Sequence, residues 1–142
     1  MVKLIFLSEA FYEKYGKCRE IEQKTDRPYI MLRVNIDGIQ WGIPLRSQIK
    51  HDYAVWTDKE NRCGIDLTKA VVLELPEYVD LDRKPHIRDN EFRQLKRISE
   101  SWIAEKMRRY ISDYKDAKRH PEITRNRMML QYSTLQYFEQ YI

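Results

Sequence analysis

Two cysteines in 142 residues, Cys18 and Cys63, form no CxxC pair and have no zinc-ligand spacing, which argues against a disulfide framework or a structural metal centre. Reduced thiols and a cytoplasmic location are the expectation. Only four glycines and five prolines punctuate the chain, and there is no repeat and no low-complexity linker. Long apolar runs are also missing: the start, Lys3 to Ser8, is apolar but meets Glu9 and Glu13 too soon for a signal peptide or a membrane span. His51, His86 and His120 are the only histidines. The last two stand next to Pro85 and Pro121 in loop-like contexts and read as capping or surface residues.

What the chain does have is aromatic mass and charge. Three Trp, ten Tyr and four Phe within 42% apolar residues suffice for one domain with a real core, here residues 1–142. The net charge of +4 is unevenly spread. From Arg83 to Arg127 fourteen Lys and Arg face seven Asp and Glu, a local +7 that leaves about −3 for the rest. A basic C-terminal half suits a polyanionic partner.

Lys3 to Leu7 reads as a strand, and Ser8 as the N-cap of a short helix ending at Gly16. Tyr29 to Ile36, then Asp37-Gly38, then Ile39 to Leu45 predicts a β-hairpin on a two-residue turn, with Pro44 ending or bending its second strand. Ala70 to Leu75 and Tyr53 to Trp56 are further strand candidates, giving three or four antiparallel strands. Beyond Pro76, apolar residues from Phe92 to Tyr114 recur at helical steps and predict one long helix over about 88–117. A second helix follows within 123–141, with Met128 and Met129 as core filler. The fold class is α+β, a twisted antiparallel sheet with a short N-terminal helix and long C-terminal helices.

Candidate chemistry gathers just after the hairpin. Arg46, Ser47, Lys50 and His51 fall within six positions, an anion site joined to a possible proton carrier. Taken singly, each has a plainer reading: Ser47 as a turn residue, the cations as solvated surface, His51 as a surface imidazole. On the basic helices, Arg93, Lys96, Arg97, Arg108, Arg109, Lys115, Lys118 and Arg119 read either as the wet face of an amphipathic helix or as a groove for RNA. In the second case Trp102 and nearby tyrosines would stack on unpaired bases.

The succession of Lys3-Leu4, Phe11-Tyr12, Arg27-Pro28-Tyr29, Asp37-Gly38, Pro44-Leu45-Arg46-Ser47, Gly64-Ile65-Asp66 and a basic C-terminal helix resembles the toxins of type III toxin-antitoxin systems. Within that ToxN and AbiQ superfamily it is most similar to the CptN and TenpN branch. The resemblance implies a metal-independent, cofactor-free endoribonuclease built on a barrel-like core similar to Kid and MazF. It implies 2′-hydroxyl attack yielding 2′,3′-cyclic phosphate, and inhibition by a folded antitoxin RNA, often a pseudoknot, in a closed protein-RNA assembly, with a role in phage defence and no membrane partner. By the same resemblance, Ser47, Lys50 or His51, Arg27, and Phe11 or Tyr12 surround the scissile phosphate, with Arg46 beside them and Tyr29 in contact with RNA. Arg46 stands where ToxN has threonine, and His51 offers a base that ToxN-type sites lack. The competing expectations are a non-catalytic nucleic-acid-binding module and, less favoured by the basic excess, a helix-mediated dimerisation domain.

Overall fold

The computed structural model describes residues 3–21 and 29–142. Among the described residues, seven strands and four α-helices follow one another as β1 Lys3–Leu7, α1 Glu9–Tyr15, β2 Met31–Ile36, β3 Ile39–Arg46, β4 Ala54–Asp58, β5 Cys63–Asp66, β6 Val71–Val72, β7 Val79–Asp80, α2 Asp89–Lys96, α3 Glu100–Arg119 and α4 Thr124–Tyr132. All strand pairs are antiparallel, in the order β4-β5-β3-β2-β1-β7, with β6 also on β3. The fold is α+β. β4 and β7 stand at opposite ends of this order, so among the described residues the sheet is open where the family resemblance implied a barrel.

The hairpin of β2 and β3 forms as its turn residues require. Asp37 and Gly38 both have positive φ, 54° and 85°, and the Asn35 side chain accepts the Gly38 N–H at 3.0 Å. The face of the hairpin that carries Leu32, Val34, Ile36, Trp41 and Ile43 is buried, with Leu32, Trp41 and Ile43 at 1% exposure or less, while Arg33 and Asn35 on the opposite face are not. Pro44 does not end β3. Leu45 donates its N–H to Ile30 on the β2 side, whereas Gln40 accepts from Leu73 on the other, so Pro44 sits with its absent N–H toward the outer edge. There it falls between the residues paired with β6, Trp41 and Gly42, and those paired with β5, Leu45 and Arg46. A proline costs nothing where one partner strand gives way to another.

The N-terminal reading also holds: Ser8 caps α1 by accepting the Phe11 N–H, and Phe11 and Tyr15 enter the core. The C-terminal reading needs revision. The single helix over 88–117 is two, because Ser99 accepts the Trp102 N–H at 3.1 Å and starts α3 afresh after α2 has ended at Lys96. The helix within 123–141 stops at Tyr132 and gives way to 3-10 turns, Thr134–Tyr137 and Glu139–Tyr141. α4 buries none of its residues, and Met128 is 53% exposed instead of filling the core. The strand expected over Ala70 to Leu75 shrinks to two residues, and β5, Cys63–Asp66, falls outside the strand candidates. α3 supplies the cover for the sheet, with Ile103, Met107, Tyr110, Tyr114 and Ala117 buried along one side at three- and four-residue steps.

Candidate active site

β3 and β5 place the site. Their pairing sets Leu45 opposite Ile65 and Arg46 opposite Gly64, so Arg46 and Asp66 lie diagonally on one face of the ladder. Asp66 is fully buried, a charged residue between Ile65 and Leu67 in the sequence. A carboxylate in that position must be matched by donors, and it is. Its Oδ2 accepts from Arg46 Nη1 at 2.7 Å. Its Oδ1 accepts from the Thr68 hydroxyl at 2.7 Å and the Thr68 N–H at 3.0 Å, capping the 3-10 turn Leu67–Lys69, and lies 3.1 Å from His51 Nε2.

Burial pushes the Asp66 carboxyl up, but the hydrogen bonds and charges of His51, Thr68 and Arg46 more than offset it and hold the group below the ordinary carboxylate range. Asp66 is therefore an anion at neutral pH. Arg46 and His51 keep part of their surface in solvent, 27% and 33% of their side chains, so both reach from a buried anchor to open space.

The ring of His51 is oriented at both nitrogens. Nδ1 accepts the Tyr53 N–H at 3.1 Å, and since an amide can only donate, the proton of the neutral ring belongs on Nε2, facing Asp66. Arg62 holds the loop that carries His51: it donates to the carbonyls of Ile49 and His51 and to Asp52, while Ile49 donates back to the Arg62 carbonyl and buries its side chain. The Arg62 guanidinium lies 4.8 Å from the centre of the Trp56 ring.

Of the residues expected here, Arg46 and His51 come together on Asp66. Ser47 and Lys50 are exposed on the same loop and, among the described residues, take no part in the Asp66 network. Tyr12 and Tyr29 lie near each other, Tyr12 on α1 and Tyr29 just ahead of β2, and neither is one of the Asp66 partners named above. Burial raises the Tyr12 phenol, and its Oη has no hydrogen-bond partner among the described residues. Arg27 lies outside the described residues.

The basic helices divide. Arg93, Lys96 and Arg97 are exposed on and just past α2, with Lys96 over the Phe92 ring at 4.6 Å. On α3, Arg108 makes a two-pronged contact with Asp37, both distances 2.9 Å, tying the helix to the hairpin turn. Arg109 faces Glu105, Lys118 faces Glu139 and Arg119 faces Asp116, while Lys115 is exposed. Most of the α3 cations thus have acidic neighbours.

Asp66, Thr68 and Arg62 received no role from the sequence alone. The signal for Asp66 was present, an aspartate inside an apolar strand with Thr two positions on, the spacing at which an aspartate caps a turn. Its partners come from twenty and fifteen residues upstream, and only the pairing of β3 with β5 reveals them.

His51 and Thr68 also line a cleft of about 660 Å³ between the Leu67–Lys69 turn, the second half of α3 and α4. Among the described residues no three His, Cys, Asp or Glu side chains converge to hold a metal ion, and no helix is long and apolar enough to cross a membrane. No family model, no curated protein and no solved structure matches this chain.

Proposed function

We propose that this chain is a metal-independent endoribonuclease of the ToxN kind, inhibited by a folded RNA and acting in bacterial phage defence. The observation that carries the reading is that one buried carboxylate, Asp66, holds both a guanidinium and an imidazole, and the imidazole lines a cleft. Cleavage by 2′-hydroxyl attack needs a base, a cation for the charge gathering on phosphorus, and an acid for the departing 5′-oxygen. His51 takes the 2′-hydroxyl proton on Nδ1 once the ring gives up its bond to the Tyr53 N–H, and Asp66 steadies the imidazolium through Nε2. Arg46 meets the phosphate oxygens, for which a fixed guanidinium is suited and from which it loses no proton. Ser47 adds a hydrogen bond to the phosphate, and Lys50 from the same loop donates the proton to the 5′-oxygen. The exposed cations of α2 and α3 bind the antitoxin RNA. Kinship to the Kid and MazF core goes with this reading, supported by the antiparallel sheet with a helix directly after its first strand.

A second reading has its own observation. Both ring nitrogens of His51 are engaged, and Ser47 and Lys50 stand apart from the Asp66 network, an arrangement that would also serve a module that binds RNA without cutting it. One experiment separates the two: end-labelled RNA incubated in EDTA with protein stripped of nucleic acid, alongside His51→Ala and Ser47→Ala. Fragments ending in 2′,3′-cyclic phosphate and lost in His51→Ala support the nuclease; RNA bound but intact supports the binding module.

A further inference from the structure

The cleft beside His51 has a composition that neither the fold nor the proton chemistry requires. Its volume of about 660 Å³ lies in the range of roughly 300–1,000 Å³ usual for small-ligand sites. Tyr53, Met128 and Tyr132 line it while remaining 37%, 53% and 55% exposed. Tyr53 is backed by Tyr110, ring centres 5.0 Å apart, so its position is fixed from behind. Tyr110 in turn donates to Ser133 at 2.6 Å within the protein interior.

Polar groups converge on the same space. Asp113 and Arg125 both line the cleft beside Tyr53, burial and the carboxylate raising that phenol and the guanidinium lowering it, so an acceptor and a donor border one aromatic surface. A carboxylate has about four lone-pair positions with which to accept. Flat apolar walls with one acceptor group and one donor group match a nucleobase.

We propose that the cleft walled by Tyr53, Tyr132 and Met128 binds one unpaired guanine of an RNA strand, with Asp113 and Arg125 reading its edge, and so selects which phosphate reaches His51. Guanine is the base that presents two adjacent donors, N1–H and the 2-amino group, to a carboxylate while offering O6 and N7 to a guanidinium. Adenine and cytosine present one amino donor, and uracil one imino donor. The proposal rests on the nuclease reading for its phosphate-selecting role, and the binding it describes requires no cleavage.

The test is titration of isotope-labelled protein with GMP, AMP, CMP and UMP, followed by amide NMR, on wild type, Tyr132→Ala and Asp113→Asn. Tyr132 is largely exposed and Asp113→Asn preserves shape, so both variants should fold, which circular dichroism checks. The expected result is GMP binding at least tenfold tighter than UMP, with shifts centred on Tyr53, Asn126 and Tyr132, and a tenfold or greater loss in each variant. Equal affinity for all four nucleotides, a preference for another base, no binding, or GMP binding that survives both substitutions would overturn it. The same protein assayed on RNA keeps the two proposals apart: selective GMP binding without cleavage removes the nuclease reading alone, and cleavage without selective GMP binding removes the guanine site alone.

Discussion

Replacing Asp66 separates what the carboxylate does for stability into two parts, because its two oxygens serve different partners. Asp66→Asn can keep Oδ1 for Thr68 and His51 but turns an amide N–H₂ toward Arg46, setting donor against donor where a 2.7 Å charge-assisted bond stood. Hydrogen bonds to charged groups contribute about 1.5–3 kcal/mol, and since the Arg46 side chain keeps 27% of its surface in water it can partly resolvate. A loss of about 2 kcal/mol is expected. Asp66→Ala also removes the cap on the Leu67–Lys69 turn, about 1 kcal/mol, and the bonds from His51 and the Thr68 hydroxyl, for a total of about 4 kcal/mol. The native carboxyl titrates below its ordinary value, so its contribution is complete above the unfolded pKa of about 3.9 and is lost as pH falls through the lower native one. Urea unfolding of the three proteins at pH 7, 5 and 3 measures this. The gap between wild type and Asp66→Asn should hold from pH 7 to 5 and narrow at pH 3. Equal costs for Asn and Ala, or a gap that ignores pH, would refute the assignment of the two oxygens.

In the RNA cleavage assay, His51→Ala should lower kcat by about 10²–10⁴, the usual worth of a positioned proton carrier, while leaving RNA affinity near wild type; an unchanged rate would exclude His51 as the base. Gly64→Ala should cost about 3 kcal/mol, since a Cβ there would lie 2.9 Å from the Trp56 Cα on β4, whereas Gly42→Ala, with nothing nearer than 3.5 Å, should cost less than half as much; thermal melts rank the two. If α2 carries RNA phosphates, Arg93→Gln with Lys96→Gln should lower the slope of log affinity against log salt by about one to two, and an unchanged slope would move the RNA surface elsewhere.

How far the sequence could be read follows the range of the forces involved. The β2 and β3 hairpin and the first helix were legible because their determinants are local: two residues with positive φ at Asp37 and Gly38, and the Ser8 hydroxyl three positions from the N–H it accepts. The break between α2 and α3 was also written locally, in Ser99 followed by Glu100, but the apolar period runs through it because Leu95, Ile98, Ile103 and Met107 all pack inward on either side. Periodicity reports burial, and two short helices covering one core share a period as readily as one long helix does. The edge strand β7 escaped for a different reason. It is two residues long, below the length at which alternation can be recognised, and it exists only because β1 offers it a partner.

The active-site candidate divides along the same line. Arg46 and His51 could be named because cations and an imidazole near a strand end are conspicuous; what fixes them could not, because Asp66 lies on a strand whose neighbour is decided by the whole sheet. That difference bears on the chemistry. An isolated loop histidine would sample many orientations, and its proton would reside on either nitrogen. With Asp66 on Nε2 and the Tyr53 N–H on Nδ1, one tautomer and one ring plane are selected, and the nitrogen left to exchange partners with substrate is Nδ1, whose bond is a single local contact two residues away. Proton-detected nitrogen NMR of the imidazole should therefore show a proton on Nε2 in wild type near pH 8 and still in Asp66→Asn, whose Oδ1 remains to accept it, and a mixture of tautomers in Asp66→Ala, where that acceptor is gone. A proton on Nδ1 in wild type would place the Tyr53 amide elsewhere and remove His51 from the role of base.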